Sequence, residues 1–247
     1  MKQLKGTGMF QPLKAKVVSI EHENLLWEKG LLGDHHPKAL VDTMVYYIGL
    51  YFAIRGGEHR KIRHYPSQLC LFEPAGQIAH LVYTEDVSKT NQGGLLHRKR
   101  AAKEVVHHAN VTDPKRCVIR LYKLYNSLCP NGRPDKAFYL KPLDRPREDC
   151  WYTKIPLGHN TLSRTVTRLF ENAGISGHYT NHSLRATVAT RMFDASVDEQ
   201  LIMIRTGHSS STGVRSYKRI TENLKVMTSC VLNGQEKKEN EAGRRPI

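Results

Sequence analysis

The chain has 247 residues, 38 of them Lys or Arg against 23 Asp or Glu, and a formal net charge of +15. That length bounds one large domain, or a domain with a small extra piece, with enough chain to bury a core, and the charge argues for a polyanionic partner, nucleic acid first. Five scattered cysteines (Cys70, Cys117, Cys129, Cys150 and Cys230) form no CxxC pair, which argues against a disulfide framework, and neither a signal pattern nor an apolar run of membrane-spanning length is visible, so an intracellular protein with no membrane partner is expected.

Residues 1–18 are basic and read as a linker or truncated N-terminus. A helix is expected over 19–32, opened by Ser19, with an acidic first turn and an apolar patch at Leu25, Leu26 and Trp27. A second is expected over 37–60, where Leu40, Met44, Tyr47, Ile48 and Tyr51 recur at helical spacing. Arg55 closes that apolar run, followed by Gly56 and Gly57, which break the helix or admit a ligand, and by Glu58 three residues on. Strand-like runs at 68–73 and 78–85 flank the turn signal Pro74, Ala75, Gly76 and predict a hairpin. Lys89 follows in VSKTNQGG, with Lys99 and Lys103 as neighbours of the same type. The basic run 97–103 suits DNA backbone, a nuclear localisation patch or a solvated face.

Residues 114–129 form an amphipathic pattern with Cys117, Val118, Leu121, Leu124, Tyr125 and Leu128 inward, and residues 130–134 break it. A short strand at 138–140 and a charged loop at 143–151 precede a helix over 159–173, with Leu162, Val166, Leu169 and Phe170 as its buried stripe. Asn181 then reads as the N-cap of a helix through SLRATVATRMF. A segment at 198–205 offers Leu201, Ile202 and Ile204 to the core and stops at Gly207. His208 falls in a turn, Tyr217 in a short helix, and 220–232 in one more helix. Residues 233–247 read as a disordered tail.

Within 181–217, His182 and Arg185 share a helix face near its anion-favouring start, while His208 and Tyr217 follow at fixed spacing, the tyrosine nine residues after the histidine. A tyrosine hydroxyl can attack a phosphodiester, but its free pKa near ~10 demands a base or cationic surroundings. Arginine grips phosphate oxygens in a planar fork, and histidine accepts or donates a proton near neutrality. Separately each signal is weak, since HxxR is common on helices and a lone tyrosine usually packs; the joint spacing is the specific feature. The pairs His35–His36 and His107–His108 lack further ligands at metal spacing, and Glu85–Asp86 and Glu148–Asp149 are only sequence neighbours, a poor basis for a carboxylate-and-magnesium nuclease.

The order Arg, Lys, HxxR, His, Tyr resembles the tyrosine recombinase pattern. LWEKGLLG, AIRGGEHR, SKTNQGGL, AFYL and NHSLRAT with TGH resemble its eukaryotic Crypton type and the DUF3504 domain of zinc finger MYM-type and glutamine-rich proteins. The resemblance implies an α+β, mainly helical catalytic domain with a small antiparallel sheet, spanning residues 19–232. It further implies that Arg55 and Arg185 grip the scissile phosphate of double-stranded DNA, Lys89 protonates the leaving 5′-oxygen, His182 is base or hydrogen-bond partner, His208 holds a phosphate oxygen, and Tyr217 is the nucleophile. Strand cleavage and rejoining would then need no cofactor, metal or ATP. A tetramer on DNA and a nuclear location are implied likewise. Type IB topoisomerase chemistry uses the same phosphotyrosine link, and a domesticated, non-catalytic DNA- or chromatin-binding module in transcriptional regulation is the alternative function. Family members usually carry an N-terminal DNA-clamping domain, for which the residues before Ser19 leave no room, so a fragment or a lost clamp is expected.

Overall fold

The computed structural model describes residues 15–86, 103–218 and 222–234. Helix α1 (Ile20–Glu28) begins where Ser19 Oγ accepts the His22 amide at 3.2 Å, and Glu21 and Glu23 complement its positive end. Helix α2 (Pro37–Tyr51) starts with His36 as N-cap and proline at its first position. It is the central helix: Leu40, Met44, Val45, Tyr46, Tyr47 and Ile48 are wholly buried. The expected extension to residue 60 is corrected, because Phe52 caps the helix and Ala53 turns into the left-handed region at φ +50°. The carbonyls of Phe52 and Ala53 are taken by side chains from elsewhere, Lys103 and Arg185, so the helical ladder stops there.

Strands β1 (Leu69–Phe72), β2 (His80–Thr84) and β3 (Glu104–His108) make one antiparallel sheet in the order β1-β2-β3, with Leu69 opposite Tyr83 and Val82 opposite Val106. The first two are the expected hairpin. The third is unexpected: five residues ending in two histidines carry a weak apolar signal. His107 is nonetheless half-buried, its ring stacked on Tyr51 at 4.0 Å. Helix α3 (Val118–Ser127) begins later than expected because Asp113 and Pro114 open a separate 3-10 turn first. Strand β4 (Leu140–Pro142) replaces the strand expected at 138–140, and its partner β5 (Tyr152–Pro156), also unexpected, lies just past the charged loop.

Helix α4 (His159–Asn172) buries Leu162, Val166, Leu169 and Phe170 as expected. Helix α5 (Asn181–Asp194) is capped by Thr180 rather than Asn181. Thr180 Oγ1 accepts the His182 amide, its own amide reaches Ser183 Oγ at 3.1 Å, and this closes a capping box. Asn181 turns inward instead and donates to the Leu162 carbonyl at 2.9 Å. Helix α5 crosses α2 at Gly49, where a Cβ would stand 2.7 Å from Leu184 Cδ1. That close approach brings Arg185 to the end of α2.

Helix α6 (Glu199–Thr206) ends at Gly207, whose φ of +67° suits glycine. Of its three expected core residues only Ile202 is buried. Leu201 and Ile204 are 55% and 59% exposed, because α6 presents a single narrow line to Ala189, Phe193 and Val214. Helix α7 (Ser211–Arg215) follows, with Tyr217 in the turn just beyond it rather than inside a helix, and α8 (Glu222–Leu232) is the last element among the described residues.

Candidate active site

Five of the six residues singled out in the sequence lie among the described residues, and they converge. Arg55 leaves the end of α2. His182 and Arg185 come from the first turns of α5, His208 from the turn after α6, and Tyr217 from the turn after α7. Lys89, with most of the basic run 97–103, lies outside the described residues; Lys103 is described and stands in the same site.

Tyr217 Oη is 3.0 Å from His182 Nε2, and its ring lies 5.9 Å from the His182 ring and 5.4 Å from that of His208. Its backbone is pinned, since Thr190 Oγ1 on α5 donates to the Tyr217 carbonyl at 3.1 Å. Burial, and then the charge of Arg185, pulls His182 below its ordinary range. The ring is therefore neutral at pH 7, with Nε2 able to accept the tyrosine proton.

Arg185 is 3% exposed, and its NH1 donates to the Ala53 carbonyl at 3.0 Å. Its NH2 stands 3.5 Å from His208 Nε2. The tautomer of His208 follows from its other neighbour. Thr206 Oγ1 spends its hydrogen on the Ile202 carbonyl at 2.6 Å, so its 2.6 Å contact with His208 Nδ1 is an acceptance, and Nδ1 carries the proton. Nε2 is left facing Arg185. Burial, followed by the charges of Arg185, Arg55 and Lys103, pushes His208 down to about 4.

Arg55 is held from three sides. NH1 reaches Glu58 at 2.7 Å and Glu85 at 3.2 Å, NH2 reaches the Gly207 carbonyl at 3.2 Å, and the Arg55 amide donates to Glu58 at 2.8 Å. Burial opposes its charge, but the hydrogen bond and charge of Glu58 outweigh it and hold the guanidinium above its ordinary range. Glu58 is correspondingly lowered: burial works against it and the Arg55 bonds prevail. Glu85 goes the other way, raised by burial and by the Glu58 charge beside it. The supporting role of Glu58 is legible in the sequence as an acid three residues after Arg55. Those of Glu85 and Thr206 are not, because only the folded chain brings them to Arg55 and His208.

Chemically, the site offers a phenol beside a neutral imidazole and two guanidiniums within one cluster, a set suited to a phosphodiester. Among the described residues no group of three or more His, Cys, Asp or Glu is placed to hold a metal ion.

Solved structures with this fold bear on the class. XerH site-specific recombinase, in a post-cleavage complex with its palindromic difH substrate, superposes with a TM-score of 0.58 at 14% identity, covering 94% of this chain and 56% of that one. XerA recombinase gives 0.54 at 13% identity, covering 94% and 68%. The architecture is that of a tyrosine recombinase catalytic domain, mainly helical with small antiparallel sheets.

By sequence, the chain belongs to the family described as Domain of unknown function (DUF3504), whose model matches residues 17–171. Human zinc finger MYM-type protein 2 is 30% identical over 171 residues, 62% of this chain and 12% of that protein. Human transcriptional regulator QRICH1 is 27% identical over 173 residues, 64% of this chain and 21% of that protein. The chain thus spans about a fifth or less of these relatives' length. The family match includes Arg55 and ends before His182.

Proposed function

We propose that residues 19–232 form a DNA strand-transfer unit that cleaves and rejoins double-stranded DNA through a 3′-phosphotyrosine intermediate, as a Crypton-type recombinase of a mobile element would. Tyr217 Oη attacks the scissile phosphorus while His182 Nε2 takes its proton. A tyrosyl oxygen–phosphorus bond forms and the phosphorus–O5′ bond breaks. One phosphodiester replaces another, so no ATP is consumed, and rejoining is the reverse step. Arg55 and Arg185 carry the charge that grows on the non-bridging oxygens, so cationic side chains supply the electrostatic stabilisation that other enzymes take from a metal. His208, re-protonated beside a bound phosphate, donates to one of its oxygens. The resemblance assigns the proton for the leaving 5′-oxygen to Lys89. A tetramer on paired sites, which the resemblance implies, and a nuclear location, in keeping with the transcriptional relatives, complete the reading.

The observation that carries it is the 3.0 Å contact between Tyr217 and His182 beside Arg185. The test is incubation with supercoiled plasmid, then denaturation and a search for protein bound covalently to DNA. The wild-type chain is expected to give adducts or relaxed plasmid, and Tyr217→Phe neither. A second reading, a non-catalytic DNA- or chromatin-binding module, is favoured by one observation: the curated relatives include a protein named as a transcriptional regulator. Under that reading the wild-type chain retards DNA yet forms no adduct.

A further inference from the structure

Two cations meet the backbone where α2 ends, and a third, Arg55, leaves from just beyond it. Lys103 Nζ donates to the Phe52 carbonyl at 2.7 Å and Arg185 NH1 to the next carbonyl, Ala53, at 3.0 Å. Two residues on, Arg55 sends NH2 to the Gly207 carbonyl at 3.2 Å. Cations suit the negative end of a helix, and this end needs holding, because Ala53 sits at φ +50°, a conformation its Cβ disfavours.

Lys103 also touches the other parts that aim Arg55. Its stem runs beside Gly207, where an added Cβ would stand 3.1 Å from Lys103 Cδ and 4.0 Å from Glu85 Oε2. Its carbonyl accepts the Glu85 amide at 2.8 Å, and the Glu85 carboxylate meets Arg55 NH1 at 3.2 Å. One lysine thus contacts the turn that delivers Arg55, the glycine that receives it and the residue whose acid flanks it.

We propose that Lys103 is a positioning residue whose charge holds the Phe52–Arg55 turn and so aims Arg55 at a DNA phosphate. The identity of that phosphate rests on the strand-transfer reading above. The charged groups around Lys103 come from every neighbouring segment: Arg185 on α5, Glu85 after β2, Glu58 and Arg55 after α2, and His208 after α6. Burial, then the charge of Arg185, pushes the ammonium down to about 7, while Glu85 and Glu58 resist. The cation is therefore lost as pH rises through neutrality, and the grip on phosphate weakens with it. Folding stability runs the opposite way. An unfolded lysine keeps its proton to about 10.4, so a folded form that sheds it near 7 gains stability as pH rises between those values.

The experiment measures duplex DNA affinity and covalent adduct yield at pH 6 and pH 8 for the wild-type chain, Lys103→Arg and Lys103→Met, with thermal melts at each pH. Lys103→Arg, which cannot lose its charge, is expected to hold at pH 8 the affinity it has at pH 6, where the wild-type chain declines. Lys103→Met is expected to bind about tenfold or more weakly at pH 6 while melting no lower than the wild-type chain. A lysine that only supports the fold would instead lower the melt of Lys103→Met and leave the pH dependence of Lys103→Arg like the wild type; either result overturns the proposal. Wild-type binding without adducts removes the strand-transfer reading but still decides the role of Lys103 through affinity. Absence of any wild-type DNA binding overturns both.

Discussion

Thr206→Val isolates one interaction in the site. Thr206 is fully buried, and its hydroxyl both donates to Ile202 and accepts His208 Nδ1–H. Valine keeps the shape and removes both bonds. The bond to Ile202 is a local turn-back on a carbonyl already in a helix, so its loss costs little. The Nδ1–H group is left without its acceptor in a half-buried ring, a loss of about 1 kcal/mol, at the low end for an unsatisfied donor because water reaches part of the ring. For a chain of this size that lowers the melting temperature by about 2–4 °C. The larger effect falls on the reaction, because the ring then turns freely or takes the other tautomer. If its alignment supplies about 1–3 kcal/mol to the transition state, adduct formation slows about 5- to 150-fold. The assay is the single-turnover rate of covalent capture on DNA, with affinity measured in parallel and Thr206→Ser as the control that restores the hydroxyl. A Thr206→Val protein that folds, binds and cleaves within twofold of the wild type would refute a His208 ring oriented by Thr206.

Other consequences follow from the same geometry. Because burial and Arg185 lower His182, and its neutral form accepts the proton, the capture rate is expected to fall with acid only below the ordinary histidine range; a pH–rate profile checks this, and His182→Asn should remove that acid limb. Thr180→Ala deletes the cap of the helix that carries His182 and Arg185, at about 1 kcal/mol, readable as a lower urea midpoint with an unchanged slope. His59 is 1% exposed, bonded through Nδ1 to the Tyr139 hydroxyl at 3.0 Å, and pushed by burial down to about 4. The unfolded ring titrates near 6.5, so stability is full above that pH and is lost as pH falls toward 4, on the order of 3 kcal/mol from this residue; denaturant midpoints that stay flat from pH 7 to 4.5 would contradict it.

What could be read from the sequence divides along physical lines. Periodicity finds α2, α3 and α4, whose stripes bury apart from the half-buried Tyr51 and Leu124, because many apolar residues share one face. It fails at β3 and β5, where five-residue strands carry histidine, lysine or proline and owe their existence to a partner strand. It also fails on α6, since Leu201 and Ile204 satisfy a helical pattern that a small neighbour cannot cover. In the site, the spacing of His182, Arg185, His208 and Tyr217 is visible because the residues sit on adjoining elements near in sequence. The contacts of Lys103 and Glu85 with the end of α2 are not, because they are long-range and centre on backbone carbonyls and a folded-chain ion pair, which leave no mark in a pattern of side chains.

Phosphotyrosine chemistry at Tyr217 is best tested by identifying the protein–DNA bond itself. The chain is incubated with plasmid in EDTA, digested with nuclease and protease, and the modified peptide is sequenced by mass spectrometry. The expected product is a nucleotide joined through phosphate to Tyr217, formed without divalent metal and absent from Tyr217→Phe. An adduct on another residue, or an adduct that persists in Tyr217→Phe, would contradict the assignment of Tyr217 as nucleophile.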